Sequence, residues 1–163
     1  MDKSLCYSPG GKQVTRAFTG PQAIDGMYLD RFFTSQPTTS VLLPLHHEEN
    51  YRARVLACGG QQAVVTDLGA ANPQWVTTAA RALTDPASGR PPVRYFCTAT
   101  LLPTGDVLVS GDVTKEEYKE ADGVRTAELY HPSANGGSWS TGAVAAETRG
   151  YHSVALLTPD GRV

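Results

Sequence analysis

Residues 95–111, Y-F-C-T-A-T-L-L-P-T-G-D-V-L-V-S-G, decide the fold class of this chain. Two apolar runs rich in β-branched residues lie on either side of a P-T-G turn, and a glycine follows the second run. Short apolar runs bounded by turn residues are typical of paired strands. The segment therefore predicts a β-hairpin.

The same pattern returns 56 positions later, in residues 151–163, Y-H-S-V-A-L-L-T-P-D-G-R-V. Six residues are identical at this one offset, without a gap: Tyr95 and Tyr151, Ala99 and Ala155, Leu101 and Leu157, Pro103 and Pro159, Gly105 and Gly161, and Val107 and Val163. Self-similarity at a fixed period indicates a repeated supersecondary unit.

Further strands are predicted on both sides of the 95–111 hairpin. An earlier hairpin ending in a glycine pair is predicted at residues 40–45 and 54–60, with a long polar connection. Two weaker strands are predicted at 63–68 and 74–78, and the third and fourth strands of the next unit at 126–130 and around Trp139. Residues 79–92 are predicted to be a loop, and the charged run 115–122 a solvated loop or a short helix.

These strands group into units of four, with a tryptophan in the fourth strand. Four-stranded units at such a period are typical of β-propeller blades, because one sheet cannot bury both of its faces alone. We therefore predict an all-β propeller fragment of about two to two and a half four-stranded antiparallel blades. Residues 1–39 would be the end of a preceding blade or irregular, 40–92 and 93–148 would each be a blade, and 149–163 the first strands of a truncated blade.

Composition excludes several functional classes. The 163 residues are 40% hydrophobic and 18% charged, with a net charge of −2, which is typical of a globular protein. The sequence has no basic patch of the kind that indicates nucleic-acid binding. It also has no apolar run long enough for a transmembrane helix. The first twenty residues lack the apolar region of a signal peptide. The three cysteines form no C-x-x-C pair, and Cys58 is predicted to be a small buried thiol.

Several motifs of residues 34–163 together resemble the galactose oxidase and glyoxal oxidase family. The more specific ones are V-L-L-P-L followed by C-G-G, and the run R-G-Y-H-S-V-A-L-L-T-P-D-G-R-V (149–163). Family members are copper radical oxidases on a seven-bladed kelch-type β-propeller. The resemblance implies a secreted enzyme that oxidises a small aldehyde, alcohol or sugar with O2 and releases hydrogen peroxide.

The resemblance also implies that Tyr151 and His152 are copper ligands, with Tyr151 as the catalytic axial phenol. Imidazole suits copper, and a weakly bound phenolate can accept the proton of a substrate hydroxyl. Adjacent residues of a strand point to opposite faces, so both can reach one metal only if the backbone is irregular there. Gly150, just before the pair, is expected to permit this irregularity.

The rest of such an active site is expected outside this chain. The resemblance implies a radical cofactor made from a crosslinked tyrosine and cysteine of earlier blades, and a second histidine ligand from a C-terminal domain. The remaining blades and that domain would be the partners of this segment. By itself the piece is therefore expected to be inactive.

For His152 and Cys97 a structural interpretation is open as well as a functional one. His152 can be a structural histidine of a non-catalytic kelch propeller that binds a protein or a glycan. The preceding copy carries Phe96 at the equivalent position, so the fold does not require a histidine there. Cys97 can be paired with Tyr151 as a radical crosslink, but a buried apolar strand residue is the preferred interpretation.

The other polar candidates are expected to be structural. His46 and His47, beside two glutamates, are expected in a solvated loop. His131 is predicted to occupy a turn, as a substitution without chemistry. Arg149 is expected either to bond neighbouring carbonyls or to shape the mouth of the pocket.

Overall fold

The structure, a computed structural model, describes residues 39–111, 113–115 and 119–163 in full and the backbone alone of residues 3–7, 14–19, 29–30 and 34–35. Two short antiparallel hairpins lie in the backbone-only part. The first pairs β1 (Lys3–Tyr7) with β2 (Val14–Thr19), and the second pairs β3 (Leu29–Asp30) with β4 (Thr34–Ser35).

Two four-stranded antiparallel sheets follow, as the sequence predicts. The first has the order β5 (Thr39–Leu42), β6 (Arg54–Cys58), β7 (Val64–Asp67), β8 (Trp75–Thr77). The second has the order β9 (Thr98–Leu101), β10 (Val107–Ser110), β11 (Thr126–His131), β12 (Ser138–Val144). Each sheet follows chain order, so every neighbour is reached by a local hairpin. The prediction of an all-β chain is confirmed, and neither sheet is closed.

Helical structure is minimal in the fully described segments. It consists of two 3-10 turns, His47–Glu49 in the first hairpin connection and Glu120–Asp122 in the charged run. No helix among the described residues has the length and apolar character needed to cross a bilayer.

The core lies between the two sheets. Leu56 of β6 belongs to one buried cluster with Val107 and Val109 of β10, and its partner in β7, the partly buried Val65, packs against that cluster. Residues spaced by two along a strand share a face, so alternation delivers these side chains to one interface. The Trp139 indole Nε1 donates to Thr78 Oγ1 at 3.0 Å, which adds a polar tie between the sheets. The predicted tryptophans lie on the fourth strands, β8 and β12.

The sequence repeat is reproduced in the turns. Gly105 N–H donates to Leu102 O at 2.9 Å, and 56 positions later Gly161 N–H donates to Thr158 O at 2.9 Å. The two glycines have φ of 89° and 82°, where a side chain would be strained. The P-x-G element therefore forms the same turn in both copies.

Residues 149–163 differ from the prediction, because the structure assigns no strand to them. A strand requires a backbone ladder, whereas the bonds from Ser153 N–H to Gly150 O and from Thr158 N–H to Arg162 O close turns within the segment itself. The segment before the turn contacts β9 through a hydrogen bond that Thr100 Oγ1 donates to Ala155 O at 3.3 Å. Its apolar side chains Val154 and Leu156 are exposed. Where the first strands of a further blade are predicted, the structure thus has a turn and a segment that is not paired in a sheet.

Candidate functional site

The predicted pair Tyr151–His152 lies in a tight turn, not at the start of a ladder. Ser153 N–H donates to Gly150 O at 3.0 Å, which closes the turn. His152 has φ of 64°, in the left-handed region that few non-glycine residues occupy. The irregular backbone expected from the sequence is present, but it falls on His152 itself and not on Gly150.

This turn brings the two candidate side chains together. The rings of Tyr151 and His152 stack with centroids 3.7 Å apart and an interplanar angle of 28°. In an extended strand they would point to opposite faces. Tyr151 is 53% exposed and His152 is also exposed, so a small molecule can reach the pair.

Phe96 of the preceding copy packs against the same tyrosine. Its ring centroid lies 4.9 Å from that of Tyr151, at an interplanar angle of 59°. Tilted aromatic pairs at such distances add about 0.5–1.5 kcal/mol beyond area burial. Phe96 also has a left-handed backbone, with φ of 67°. The unusual conformation at His152 is therefore a property of the repeated unit.

An open cleft of about 370 Å³ lies beside the pair. Its lining residues are Val113, Glu120, Glu147, Thr148, Gly150 and Tyr151. The lining is mixed, with two carboxylates, a hydroxyl and the tyrosine ring. The cleft can admit a small polar molecule next to Tyr151.

The residues present fit copper in part. A phenol and an imidazole on one side of an exposed turn are donors that copper accepts. Two donors leave the rest of the coordination sphere to other groups. The fully described segments contain no group of three or more His, Cys, Asp or Glu residues that could hold a metal ion.

The remaining histidines have other roles. His46 and His47 are exposed at the polar 3-10 turn, as expected for a solvated loop. The prediction that His131 occupies a turn is wrong, because His131 is the last residue of β11. Its Nδ1 lies 2.9 Å from Asp106 Oδ1 and its Nε2 lies 2.8 Å from Ser140 Oγ. Both ring nitrogens of His131 are thus used, one toward β12 and one toward the turn that precedes β10.

The two described cysteines are buried between the sheets. Cys97 Sγ lies 3.9 Å from Cys58 O, and both thiols are free. A hydrogen bond with the Cys58 side chain, together with burial, raises the pKa of the Cys97 thiol well above its ordinary value. This environment agrees with the interpretation of Cys97 as an apolar core residue.

Arg81, Arg94 and Glu128 form a buried ionic cluster that is not predicted from the sequence. Glu128 Oε2 accepts from Arg81 Nη2 at 2.5 Å and from Arg94 Nε at 3.0 Å. Glu128 Oε1 accepts from the Leu83 N–H at 3.1 Å. The side chains of this cluster are 0–1% exposed.

The cluster also binds backbone carbonyls of the surrounding loops. Arg81 Nη1 donates to Gly60 O at 2.6 Å and to Pro92 O at 2.8 Å. The one signal in the sequence is the position of Glu128, two residues before the buried Tyr130 and hence on the same strand face. That placement forces the carboxylate inward, and a buried carboxylate requires cationic partners.

No protein-family model and no curated protein matches the chain. Among solved structures, the chain is similar to a fungal alcohol oxidase of the AA5 family with catalytic diversity, determined in complex with copper. The sequences are 22% identical and the TM-score is 0.60. The match covers 76% of this chain and 25% of the oxidase chain, so the chain spans about a quarter of that protein. At this identity the likeness establishes a shared fold.

Proposed function

We propose that this chain is part of a copper radical oxidase of the galactose oxidase and glyoxal oxidase type. The two four-stranded sheets would be two neighbouring blades of a kelch-type propeller, and the remaining blades would complete it. The likeness to a copper alcohol oxidase supports this proposal at the level of fold. The complete protein would be secreted.

The Tyr151–His152 pair is the observation that carries the proposed chemistry. Their stacked rings, 3.7 Å apart, offer a phenol and an imidazole on the same side of one turn. His152 would hold the metal through an imidazole nitrogen, and Tyr151 would be both a ligand and the acceptor of the substrate hydroxyl proton. Bound copper, with a tyrosine–cysteine radical from elsewhere in the protein, would supply the one-electron chemistry.

The reaction proposed for the complete protein is R–CH2OH + O2 → R–CHO + H2O2, or the corresponding oxidation of a hydrated aldehyde. Small alcohols, aldehydes and sugars are the substrate class. The open cleft beside Tyr151 would admit such a molecule. Phe96, packed on the Tyr151 ring, would keep that ring in place.

The alternative is a non-catalytic propeller that binds a protein or a glycan. The left-handed backbone that Phe96 shares with His152 weighs against it, because the turn conformation occurs without a histidine. Under this alternative His152 has a structural role only. A direct test of activity separates the two.

The test uses the protein expressed from the complete open reading frame, loaded with copper. Hydrogen peroxide is measured with a simple alcohol and a simple aldehyde, for the wild type, His152→Ala and His46→Ala. His46 is the matched control, since it is an exposed histidine outside the motif. We expect peroxide from the wild type and His46→Ala and none from His152→Ala. Peroxide production by His152→Ala would contradict the proposal, and an inactive wild type would favour the binding module.

A further inference from the structure

Arg94 connects the buried ionic cluster with the turn that carries Tyr151 and His152. Its Nε donates to Glu128 Oε2 at 3.0 Å, and its side chain is 0% exposed. Its Nη2 donates to Thr126 O at 2.5 Å, and its Nη1 to Gly111 O at 3.1 Å. The planar guanidinium with these bonds can take only one orientation. The position of the Gly111 carbonyl is therefore fixed from within the core.

Gly111 in turn contacts the turn segment. It has φ of 74°, and a β-carbon built on it would lie 3.4 Å from Arg149 O, 3.5 Å from Arg149 Cβ and 3.6 Å from Ser153 Oγ. These distances are those of ordinary packing, so the α-carbon of Gly111 faces both ends of the Tyr151–His152 turn. Any displacement of Gly111 is transmitted to the backbone on either side of the pair.

A second connection runs through the residues that follow Arg94. The Arg94 N–H donates to Gly59 O at 2.7 Å, and the Tyr95 N–H donates to Val113 O at 3.0 Å. Phe96 comes next and packs on the Tyr151 ring. The side chain of Arg94 thus fixes the Gly111 carbonyl next to the turn, and its backbone fixes the start of the segment that carries Phe96.

We propose that Arg94 is a positioning residue for the Tyr151–His152 pair, acting through the Gly111 carbonyl and through Phe96. The inference rests on the proposed function for its catalytic meaning, but the mechanical coupling can be measured without copper. Arg81 provides a matched control. It binds the same Glu128 oxygen and is equally buried, but its other bonds go to Gly60 and Pro92.

The experiment compares Arg94→Lys with Arg81→Lys in the protein from the complete reading frame. Lysine keeps the positive charge beside Glu128 but lacks the fork that reaches a second carbonyl. Amide hydrogen exchange of residues 150–153 is measured relative to that of β10 and β11, without metal. We expect amide exchange in the turn to rise by about tenfold or more in Arg94→Lys and to stay near wild type in Arg81→Lys. The reason is that only Arg94→Lys removes the charged hydrogen bond to the Gly111 carbonyl, which adjoins the turn.

A second pair of variants keeps the inference testable if Arg94→Lys does not fold. Gly111→Ala and Gly89→Ala strain the backbone alike, since the φ values are 74° and 66°. Only Gly111 lies against the turn, so a backbone shift that relieves the strain reaches the turn from there, whereas nothing lies within 4 Å of a methyl at Gly89. We expect faster exchange in the turn for Gly111→Ala only. Equal exchange in both members of each pair that folds would overturn the inference.

Copper binding separates this inference from the proposed function. With Cu²⁺ added, the electron paramagnetic resonance spectrum should change in Arg94→Lys and remain that of the wild type in Arg81→Lys. A wild type that binds no copper, with the exchange effect present, would refute the oxidase and leave the positioning role supported. Normal exchange with an unaltered spectrum in Arg94→Lys would refute the positioning role alone.

Discussion

Phe96 and His152 have the same left-handed backbone conformation, with φ of 67° and 64°, 56 residues apart in the chain. Each follows a tyrosine, and each precedes the first apolar run of its copy. A left-handed conformation costs an ordinary residue roughly 1–2 kcal/mol. Its recurrence indicates that the repeated unit imposes it, whatever side chain is present. What distinguishes the second copy is the imidazole.

This relationship predicts the behaviour of His152→Phe. The preceding copy shows that a phenylalanine is accommodated in this conformation, so we expect the free energy of unfolding to change by less than about 0.5 kcal/mol. Copper affinity of the complete protein should fall by at least about 100-fold, since a ligand is lost. Urea unfolding and copper titration measure the two effects. An unchanged copper affinity would show that His152 is not a ligand.

Glu128→Gln should destabilise the protein strongly. The carboxylate is fully buried and accepts from two arginines and a backbone N–H. Removing one partner of a buried ion pair costs about 3–5 kcal/mol, because the other charges stay buried. Glu49→Gln is the control, since Glu49 pairs with Arg54 at 2.7 Å but remains 38% exposed, and we expect less than about 1 kcal/mol. Similar unfolding midpoints for both variants would contradict the assigned role of Glu128.

The bond between Trp139 and Thr78 should couple the two sheets energetically. Trp139 Nε1 donates to Thr78 Oγ1 at 3.0 Å. A double-mutant cycle with Trp139→Phe and Thr78→Val should give a coupling free energy of about 1 kcal/mol, the usual net worth of one hydrogen bond. Denaturant unfolding of the four proteins measures it. A coupling energy near zero would mean that only apolar packing joins the sheets at this point.

Cys97 should make the protein less stable in alkali. The hydrogen bond with Cys58, and then burial, raise the pKa of the folded Cys97 thiol well above 9.0, its ordinary value. Below that value both states hold the proton and the stabilisation is complete. Above it the unfolded thiol ionises while the folded one does not, so stability falls as the pH rises towards the folded pKa.

The measurement compares urea midpoints at about pH 8 and about pH 9.5, both below the ordinary pKa of tyrosine. We expect a loss of stability in the wild type that Cys97→Ala reduces. Equal losses in both proteins would show that the Cys97 thiol does not contribute to the alkaline transition.

Much of the fold could be predicted because its determinants are local. Apolar runs on either side of P-T-G fix a hairpin through turn geometry and side-chain alternation, and Trp75 and Trp139 mark the fourth strands. The repeat predicted two similar sheets, and the identical turns at Gly105 and Gly161 confirm the register. The strands expected within 149–163 did not follow, because a strand also depends on a partner that local sequence does not supply.

The sequence by itself determined the strands of the two four-stranded sheets, their order and their turns, and it singled out Tyr151 and His152 as a candidate pair. Only the tertiary structure decided what surrounds them: the aromatic contact of Phe96 with Tyr151, the bonds of His131, and the meeting of Arg81, Arg94 and Glu128. Strand propensity and turn chemistry act over a few residues, so they can be recognised directly in a short stretch of sequence. Arg81 and Arg94 lie in the connection between β8 and β9, 47 and 34 residues before Glu128. The three charges meet only when that connection packs against the second sheet, and their burial there makes the pairing obligatory.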